Sequence, residues 1–393
     1  MHILIIPTER YVTGDSPFGG IFQYQQARAL HHAGIRVGIV APAPLSFRHL
    51  KKEWRRHTPA IDVEEDDGIA VYRFQGWNWT TGKNARLYQW NFNHAGKKLF
   101  DRYVKERGTP DLIHAHNCLQ AGLFAAVGLK KKNIPVILTE HSTMFARDRL
   151  NSWQVAHAAL AWKSAERRLV VAPTLGALMD SLFKTSAHSW ECVSNILDER
   201  FENTPLPGTV RHQHRPFRFL NIAMMEARKN QAILLRAFAS AFRKTTHVEL
   251  HIGGDGPFRQ TLENLSHRLG IAERVHFLGS LDRSLVLREM QQCDAFVLSS
   301  DYETFGVVLI EAAACGKPLI AASGSGPDSI VHAKNGMLFP PRDIYALAAA
   351  MTDMAGQAAR FDPDEIRKDC LDRFGSGPVA GKLISIYRRI LSS

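Results

Sequence analysis

Short apolar runs alternate along the chain with stretches whose apolar residues recur every three or four positions. Strands and helices are therefore expected in turn, the βαβ order of a parallel sheet covered by helices. His2–Pro7 reads as a first strand, a loop rich in Gly, Pro and Ser ends at Gly19–Gly20, and a helix follows to Ala33. Arg36–Ala41, Asp111–His116, Pro135–Thr139, Val170–Thr174 and Glu191–Ser194 read as further strands. The series restarts at Arg218–Ala223 and continues through Val248–Ile252, Val275–Leu278, Ala295–Leu298 and Pro318–Ala322. Two such series predict an α/β protein of two Rossmann-like, doubly wound parallel-sheet domains facing a central cleft. The expected division is 1–198 for the first domain, 199–216 for a polar linker, 217–375 for the second domain, and 376–393 for a carboxyl-terminal helix that could cross back to the first.

The length of 393 residues agrees with more than one core. No apolar run approaches about 18 residues, so no membrane-spanning helix is expected. The opening MHILIIP lacks the basic segment of a signal peptide and reads as a strand. Five scattered cysteines argue for free thiols in a reducing compartment and against a disulfide framework or zinc ribbon. The net charge of +11 is uneven: residues 1–198 hold 25 basic against 17 acidic side chains, and 199–393 hold 24 against 21. All seven tryptophans also fall in the first half. A basic first domain suggests an anionic partner.

Several stretches of the first half carry candidate chemistry. Gly19 and Gly20 precede a helix and could cradle a phosphate, or serve only a tight turn. In Leu45–Arg56, Phe47, Leu50 and Trp54 form one helical stripe among Arg48, Lys51, Lys52, Arg55 and Arg56. That pattern fits an anionic membrane surface, and equally a surface helix packed on its own domain. Gly76–Phe100 holds Trp77, Trp79, Tyr88, Trp90 and Phe92 with Asn78, Asn91 and Asn93, a composition suited to stacking on sugar rings, to single-stranded nucleic acid, or in part to a core. His114, His116 and His141 should gather at the carboxyl edge of one sheet, but no further ligand at metal spacing accompanies them.

In the second half, Ser299–Gly316 (SSDYETFGVVLIEAAACG) joins a buried strand to a helix and sets Glu303 and Glu311 eight positions apart. If wholly helical, that spacing is about 12 Å along the axis. A retaining glycosidase needs its carboxyl groups about 5 Å apart, so the pair suits one extended ligand better than a hydrolytic dyad. A nucleotide sugar, with hydroxyls at both ends and a diphosphate between, is such a ligand. The plainer reading is one acidic loop residue and one helix-surface glutamate. Phe305–Gly306 would lie at the helix start, where free N–H groups favour an anion. Lys229 lies in the polar loop Glu226–Asn230, and Gly253–Pro257 (GGDGP) forms a glycine turn after a strand.

Together these pieces resemble the retaining glycosyltransferases of family 4, which have the GT-B fold. The resemblance runs over nearly the whole chain. It is carried by the E-x7-E block and its continuation GKPLIAASGSGPDSIVHAKNGMLFPP, by GGDGPFRQTLE followed by VHFLGSL, by PFGGIFQYQQARALHHAG, and by VSNILDERF. The resemblance implies that Glu303 holds donor-sugar hydroxyls and Glu311 the ribose hydroxyls. The backbone at Thr304, Phe305 and Gly306 would hold sugar and diphosphate, and Lys229 the diphosphate. Gly19, Gly20, Arg228, Gly254 and Phe277 would complete the donor site, with Phe277 near the base. His141, Glu303 and Lys229 would be the catalytic set. Trp77, Trp79, Trp90 and His116 would meet the acceptor. No metal and no cofactor beyond the nucleoside-diphosphate sugar is implied.

Two departures stand out. The family's arginine five residues before the lysine is Met224 here, which leaves Arg228 as the nearest second cation. The family's G-G-x-x-E segment reads Gly324-Ser325-Gly326-Pro327-Asp328, one methylene short at the acid. The expected activity is transfer from a nucleoside-diphosphate sugar, UDP in preference to GDP, to a saccharide or lipid-linked acceptor in surface polysaccharide or lipopolysaccharide synthesis. The expected place is the cytoplasm, including the inner membrane face. A nucleotide-sugar epimerase on the same fold would need no aromatic acceptor region. A nucleic-acid-binding protein would leave Glu303 and Glu311 unexplained and matches no helix-turn-helix, finger or RNP pattern. A dehydrogenase is disfavoured because neither glycine turn reads G-x-G-x-x-G.

Overall fold

The computed structural model describes residues 1–12, 19–45, 60–78, 84–147, 150–186, 189–206 and 215–392. The chain divides into two compact units, Met1–Ile196 with Ser376–Ser393, and Leu197–Gly375. Each has its own sheet with helices around it.

The first unit is built from β1 (His2–Ile6), α1 (Ile21–His32), β2 (Arg36–Ala41), β3 (Ala60–Asp66), β4 (Ile69–Gln75), α2 (Ala85–Arg107), β5 (Leu112–His116), β6 (Val136–Glu140), α3 (Ser152–Ser164), β7 (Arg167–Val170), α4 (Pro173–Phe183) and β8 (Glu191–Cys192). Its eight strands lie in the order β3-β4-β2-β1-β5-β6-β7-β8. All neighbours are parallel except β3 and β4. β1, β5 and β6 are buried along their whole length, as the centre of a sheet covered on both faces requires.

Three local readings of the sequence need correction. β3 and β4, where no strand was expected, form a hairpin through Asp67 and Gly68, both at positive φ (50° and 77°). Asp-Gly is the pair that a two-residue hairpin of matching twist favours. The strand expected at Val170–Thr174 ends at Val170, because Pro173 starts α4. The aromatic stretch, read above from composition alone, is for the most part a helix. From Ala85 it is helical, with Asn84 accepting the Leu87 amide at 3.1 Å, and Phe92, Ala95, Leu99, Phe100 and Tyr103 are its buried stripe.

The second unit contains α5 (Glu199–Asn203), β9 (Phe217–Ile222), α6 (Gln231–Ala241), β10 (Val248–Gly253), α7 (Arg259–Arg268), β11 (Val275–Gly279), α8 (Arg283–Gln292), β12 (Ala295–Leu298), α9 (Val307–Ala314), β13 (Leu319–Ala322), β14 (Gly336–Phe339), α10 (Ile344–Gln357) and α11 (Pro363–Phe374). Its six parallel strands run β11-β10-β9-β12-β13-β14. The order reverses about β9, which sets the loops after β9, β10 and β12 side by side at the carboxyl edge. That switch point is where open α/β sheets bind ligands. The segment read as linker begins instead as a helix of this unit. Asp198 caps it by accepting the Arg200 amide at 2.9 Å, and Phe201 is fully buried. Residues 207–214 of that segment lie outside the described part.

The carboxyl-terminal helix Ser376–Leu391 packs on the first unit. Val379, Ala380, Leu383, Ile384, Ile386 and Tyr387 join the core formed by α1 and the first strands. Leu383 is 1% exposed. Leu383→Ala should therefore cost about 2–5 kcal/mol of first-unit stability. Urea unfolding followed by tryptophan fluorescence reads this unit, since all seven tryptophans belong to it. An unchanged midpoint would mean that the helix is not part of this core.

Candidate functional site

In the second unit the turn after β9 is tied to the loop after β12. Asn230, in the left-handed region at φ 47°, donates from Nδ2 to Asp301 Oδ1 at 2.7 Å. The Asp301 amide donates to the Arg228 carbonyl at 2.9 Å, and Ser299 Oγ to the Lys229 carbonyl at 3.0 Å. Lys229 is thereby aimed at the second loop. Its Nζ donates to Glu303 Oε1 at 2.5 Å, with the two side chains 14% and 11% exposed.

Glu303 is held in turn by the loop after β13. Its carbonyl accepts the Gly326 amide at 2.9 Å. A Cβ at Gly326 would lie 2.5 Å from the Phe305 backbone, so only glycine allows this approach. Asp328, given no role from sequence, accepts the Gly324 amide with both oxygens at 3.0 and 2.9 Å and shapes that loop. Thr304 is half-buried, and Phe305 is buried edge-on against Phe374. Gly306 precedes α9 at φ 102° and brings no side-chain cap to it, so the first amides of α9 gain no side-chain acceptor from the cap position. Gly254 sits at φ 118°, where a Cβ would meet the Ala223 carbonyl at 2.1 Å. It thus seats the GGDGP turn on the loop that leads to Lys229. Phe277, in β11 beside Ile252 of β10, is half-buried near Gln260 and Glu263 of α7.

Glu311 differs from its expected setting. It is 1% exposed inside α9, and its Oε1 accepts from Arg283 at 2.6 Å. Arg283 also donates to Asp198 Oδ2 at 2.9 Å and lies over the Phe201 ring. Burial pushes the Glu311 carboxyl above its usual range, against the pull of Arg283. Its Oε2 is buried without a hydrogen-bond partner. The sequence reading gave no role to Asp198, although it lies within VSNILDERF, and missed Arg283, which falls just beyond VHFLGSL. Met224 is 61% exposed, and Arg228, the expected second cation, is paired with Glu226 at 2.7 Å.

In the first unit the three histidines do gather. His116 Nδ1 and His141 Nε2 lie 3.2 Å apart, and the His114 and His116 rings stack at 4.6 Å. His114 meets Tyr387 Oη at 2.6 Å, Thr139 Oγ1 at 2.7 Å and Gln26 at 2.9 Å. Gln23 reaches His141 at 3.2 Å, and Gly20 begins α1, which carries both glutamines, with Gly19 just before it. Burial holds His114 down at about 3, His141 at about 4 and His116 well below its usual value. All three rings are neutral at pH 7 and act as hydrogen-bonding groups. Beside them buried Glu140 accepts the Cys118 and Ser142 amides at 2.8 and 2.7 Å. Trp77 is buried at 7% beside Leu45, so it presents no open ring face, a correction that follows from its bridge to that residue. Trp90 is 61% exposed on α2 and stacked on His94. Trp79 and the stripe Phe47, Leu50 and Trp54 lie outside the described residues.

The fold and two family models identify the chain as a glycosyltransferase of the GT-B type. The model for Glycosyltransferase Family 4 matches residues 20–201, and that for Glycosyl transferases group 1 matches 206–359. The chain is similar to a glycogen synthase of Mycobacterium tuberculosis, 26% identical over 77% of this chain and 75% of that one. It is also similar to the glycosyltransferase TuaC of Bacillus subtilis, named for teichuronic acid biosynthesis, 25% identical over 94% and 91% of the two chains. The fold matches Anabaena HepE in complex with UDP at a TM-score of 0.71, with 20% identity and coverage of 99% and 100%.

Two outcomes test this geometry. Glu311→Ala should cost about 1.5–3 kcal/mol of second-unit stability by removing a charged hydrogen bond from Arg283, whereas Glu311→Gln should recover most of it. Equal thermal stability of the wild type and the alanine variant would contradict the buried pair. The histidine pKa values lie below 6.5 in the folded state, so the unfolded chain takes up protons first as pH falls. Stability is therefore intact above 6.5 and lost from there down toward about 4, by about 1.4 kcal/mol per pH unit for each proton. His116→Gln should flatten this acid limb in urea unfolding, and a wild-type midpoint constant from pH 7 to 5 would refute it.

Proposed function

We propose that this glycosyltransferase moves a sugar from a nucleoside-diphosphate sugar, UDP in preference to GDP, to a saccharide or lipid-linked acceptor with retention of configuration. The observation that carries the reading is the Lys229–Glu303 pair at the switch point, followed, on the helix that the Glu303 loop leads into, by Glu311 with an unpartnered Oε2. Glu311 Oε2 takes a ribose hydroxyl. The diphosphate rests on Lys229 and the first amides of α9, and Glu303 turns from Lys229 to the hydroxyls of the donor sugar. Phosphate oxygens neutralised by a lysine and a helix start leave readily without a metal. The departing phosphate then takes the acceptor's proton on the same face, as the family resemblance implies. His141 keeps the role the family resemblance implies as a neutral hydrogen-bonding ring, Trp90 meets the acceptor, and His116, 1% exposed, is withdrawn with Trp77 because it is buried. The UDP complex of HepE and the teichuronic acid association of TuaC support a UDP-sugar and a surface polysaccharide or lipopolysaccharide.

No helix among the described residues is long and apolar enough to cross a membrane. A lipid-linked acceptor would be met at an anionic inner membrane face through the basic stripe at 47–56.

A thermal-shift series with UDP and GDP tests the base, since a ligand at 100 times its dissociation constant adds about 2.7 kcal/mol. UDP should shift the midpoint more than GDP, and the reverse order would reassign the donor. Glu303→Gln should lose turnover of the UDP-sugar by at least the roughly 10²-fold typical of a lost transition-state contact. Normal turnover in that variant would remove Glu303 from the site. Turnover should continue without Mg²⁺ or Mn²⁺, and a requirement for either would overturn metal-free departure of the diphosphate.

A further inference from the structure

We propose that Glu249, His251 and His276 form a three-ligand site for a divalent transition metal of the zinc class, separate from the donor residues. Strand register brings the histidines together, since His251 of β10 stands opposite His276 of β11. Glu249 lies two residues before His251 and so projects from the same face of the sheet. Glu249 Oε2 is 3.4 Å from His251 Nε2 and 3.9 Å from His276 Nε2, and one ligand atom from each residue falls within 4.8 Å of the other two. Zinc with bonds of about 2.0–2.1 Å sets tetrahedral ligand atoms about 3.3 Å apart. Small side-chain rotations close the difference. Two imidazoles and one carboxylate are a ligand set that zinc accepts, with a fourth position left for water. Glu249 and His276 side chains are 26% and 43% exposed, which gives an ion a way in.

A second observation points the same way. His251 is 8% exposed, and its other nitrogen, Nδ1, is buried without a hydrogen-bond partner. Glu289 of α8 faces it, with Oε2 at 3.8 Å, also buried and unpartnered. Two complementary buried groups that face each other just beyond bonding distance are costly to leave so. A metal on Nε2 fixes the proton on Nδ1 and makes that N–H a stronger donor to the carboxylate. Metal-bound histidines almost always have such an acceptor on the second nitrogen. Arg218 of β9, opposite Glu249, is a cation aligned with the group, and the two glutamates more than balance it.

The test is Co²⁺ titration of the untagged full-length protein after chelator treatment, read by visible d–d absorption and by Zn²⁺ displacement. One Co²⁺ per chain should bind with a tetrahedral spectrum and leave when Zn²⁺ is added. Partly exposed His276 can be replaced without disturbing the core, and His276→Ala and His276→Gln should both lose the band. Glu289→Gln should keep it with affinity weakened by about 10–100-fold. A wild type without the band would overturn the proposal. So would an unchanged band in the two His276 variants, which would place the metal on other histidines such as His116 and His141.

Discussion

A lysine and a glutamate 74 positions apart meet at 2.5 Å, and the second unit is arranged around that contact. Neither residue reaches it through its own element alone. Lys229 is placed by a left-handed Asn230, by Ser299 and by Asp301, and Glu303 by the glycine loop that grips its carbonyl. Two charges that are 14% and 11% exposed have lost most of their water. Their mutual attraction offsets that desolvation only while the geometry holds. The same arrangement suits a polyanionic ligand, because a diphosphate can replace the carboxylate as the partner of Lys229 without exposing an unpaired cation.

The neighbouring Asp198–Arg283–Glu311 group answers a related constraint. Two acids share one guanidinium, and one oxygen of Glu311 is left over. A carboxylate this deeply buried stays in place because Arg283 holds it and Phe201 covers Arg283. Held in that way, the leftover oxygen is pre-positioned for a hydroxyl and loses little entropy on binding.

Much of the architecture was legible because strand and helix patterns alternate so regularly. The two sheets, the switch-point loops and the E-x7-E spacing all lie in local pattern. Partners that meet only through the tertiary fold were not legible. Arg283 reaches Glu311, and Asp198 reaches Arg283, from separate segments, and Arg228 is taken by the nearby Glu226. The aromatic stretch misled because composition alone was read. Its helical spacing, with Phe92, Leu99 and Phe100 on one side, marks a core stripe that leaves Trp90 outside. The hairpin could have been found, since Asp67-Gly68 stands between two runs of strand-forming residues. In the first unit the histidines were placed correctly at one sheet edge, but their partners Gln23, Gln26 and Tyr387 come from two helices far apart in sequence.

If Glu303 and a diphosphate compete for Lys229, substitutions of the two residues must move nucleotide affinity in opposite directions. Calorimetric titration of free UDP into the wild type, Lys229→Met and Glu303→Gln measures this directly. The account predicts weaker binding for Lys229→Met and tighter binding for Glu303→Gln, whose lysine is released from its acidic partner. Unchanged affinity in both variants, or equal weakening in both, would contradict it.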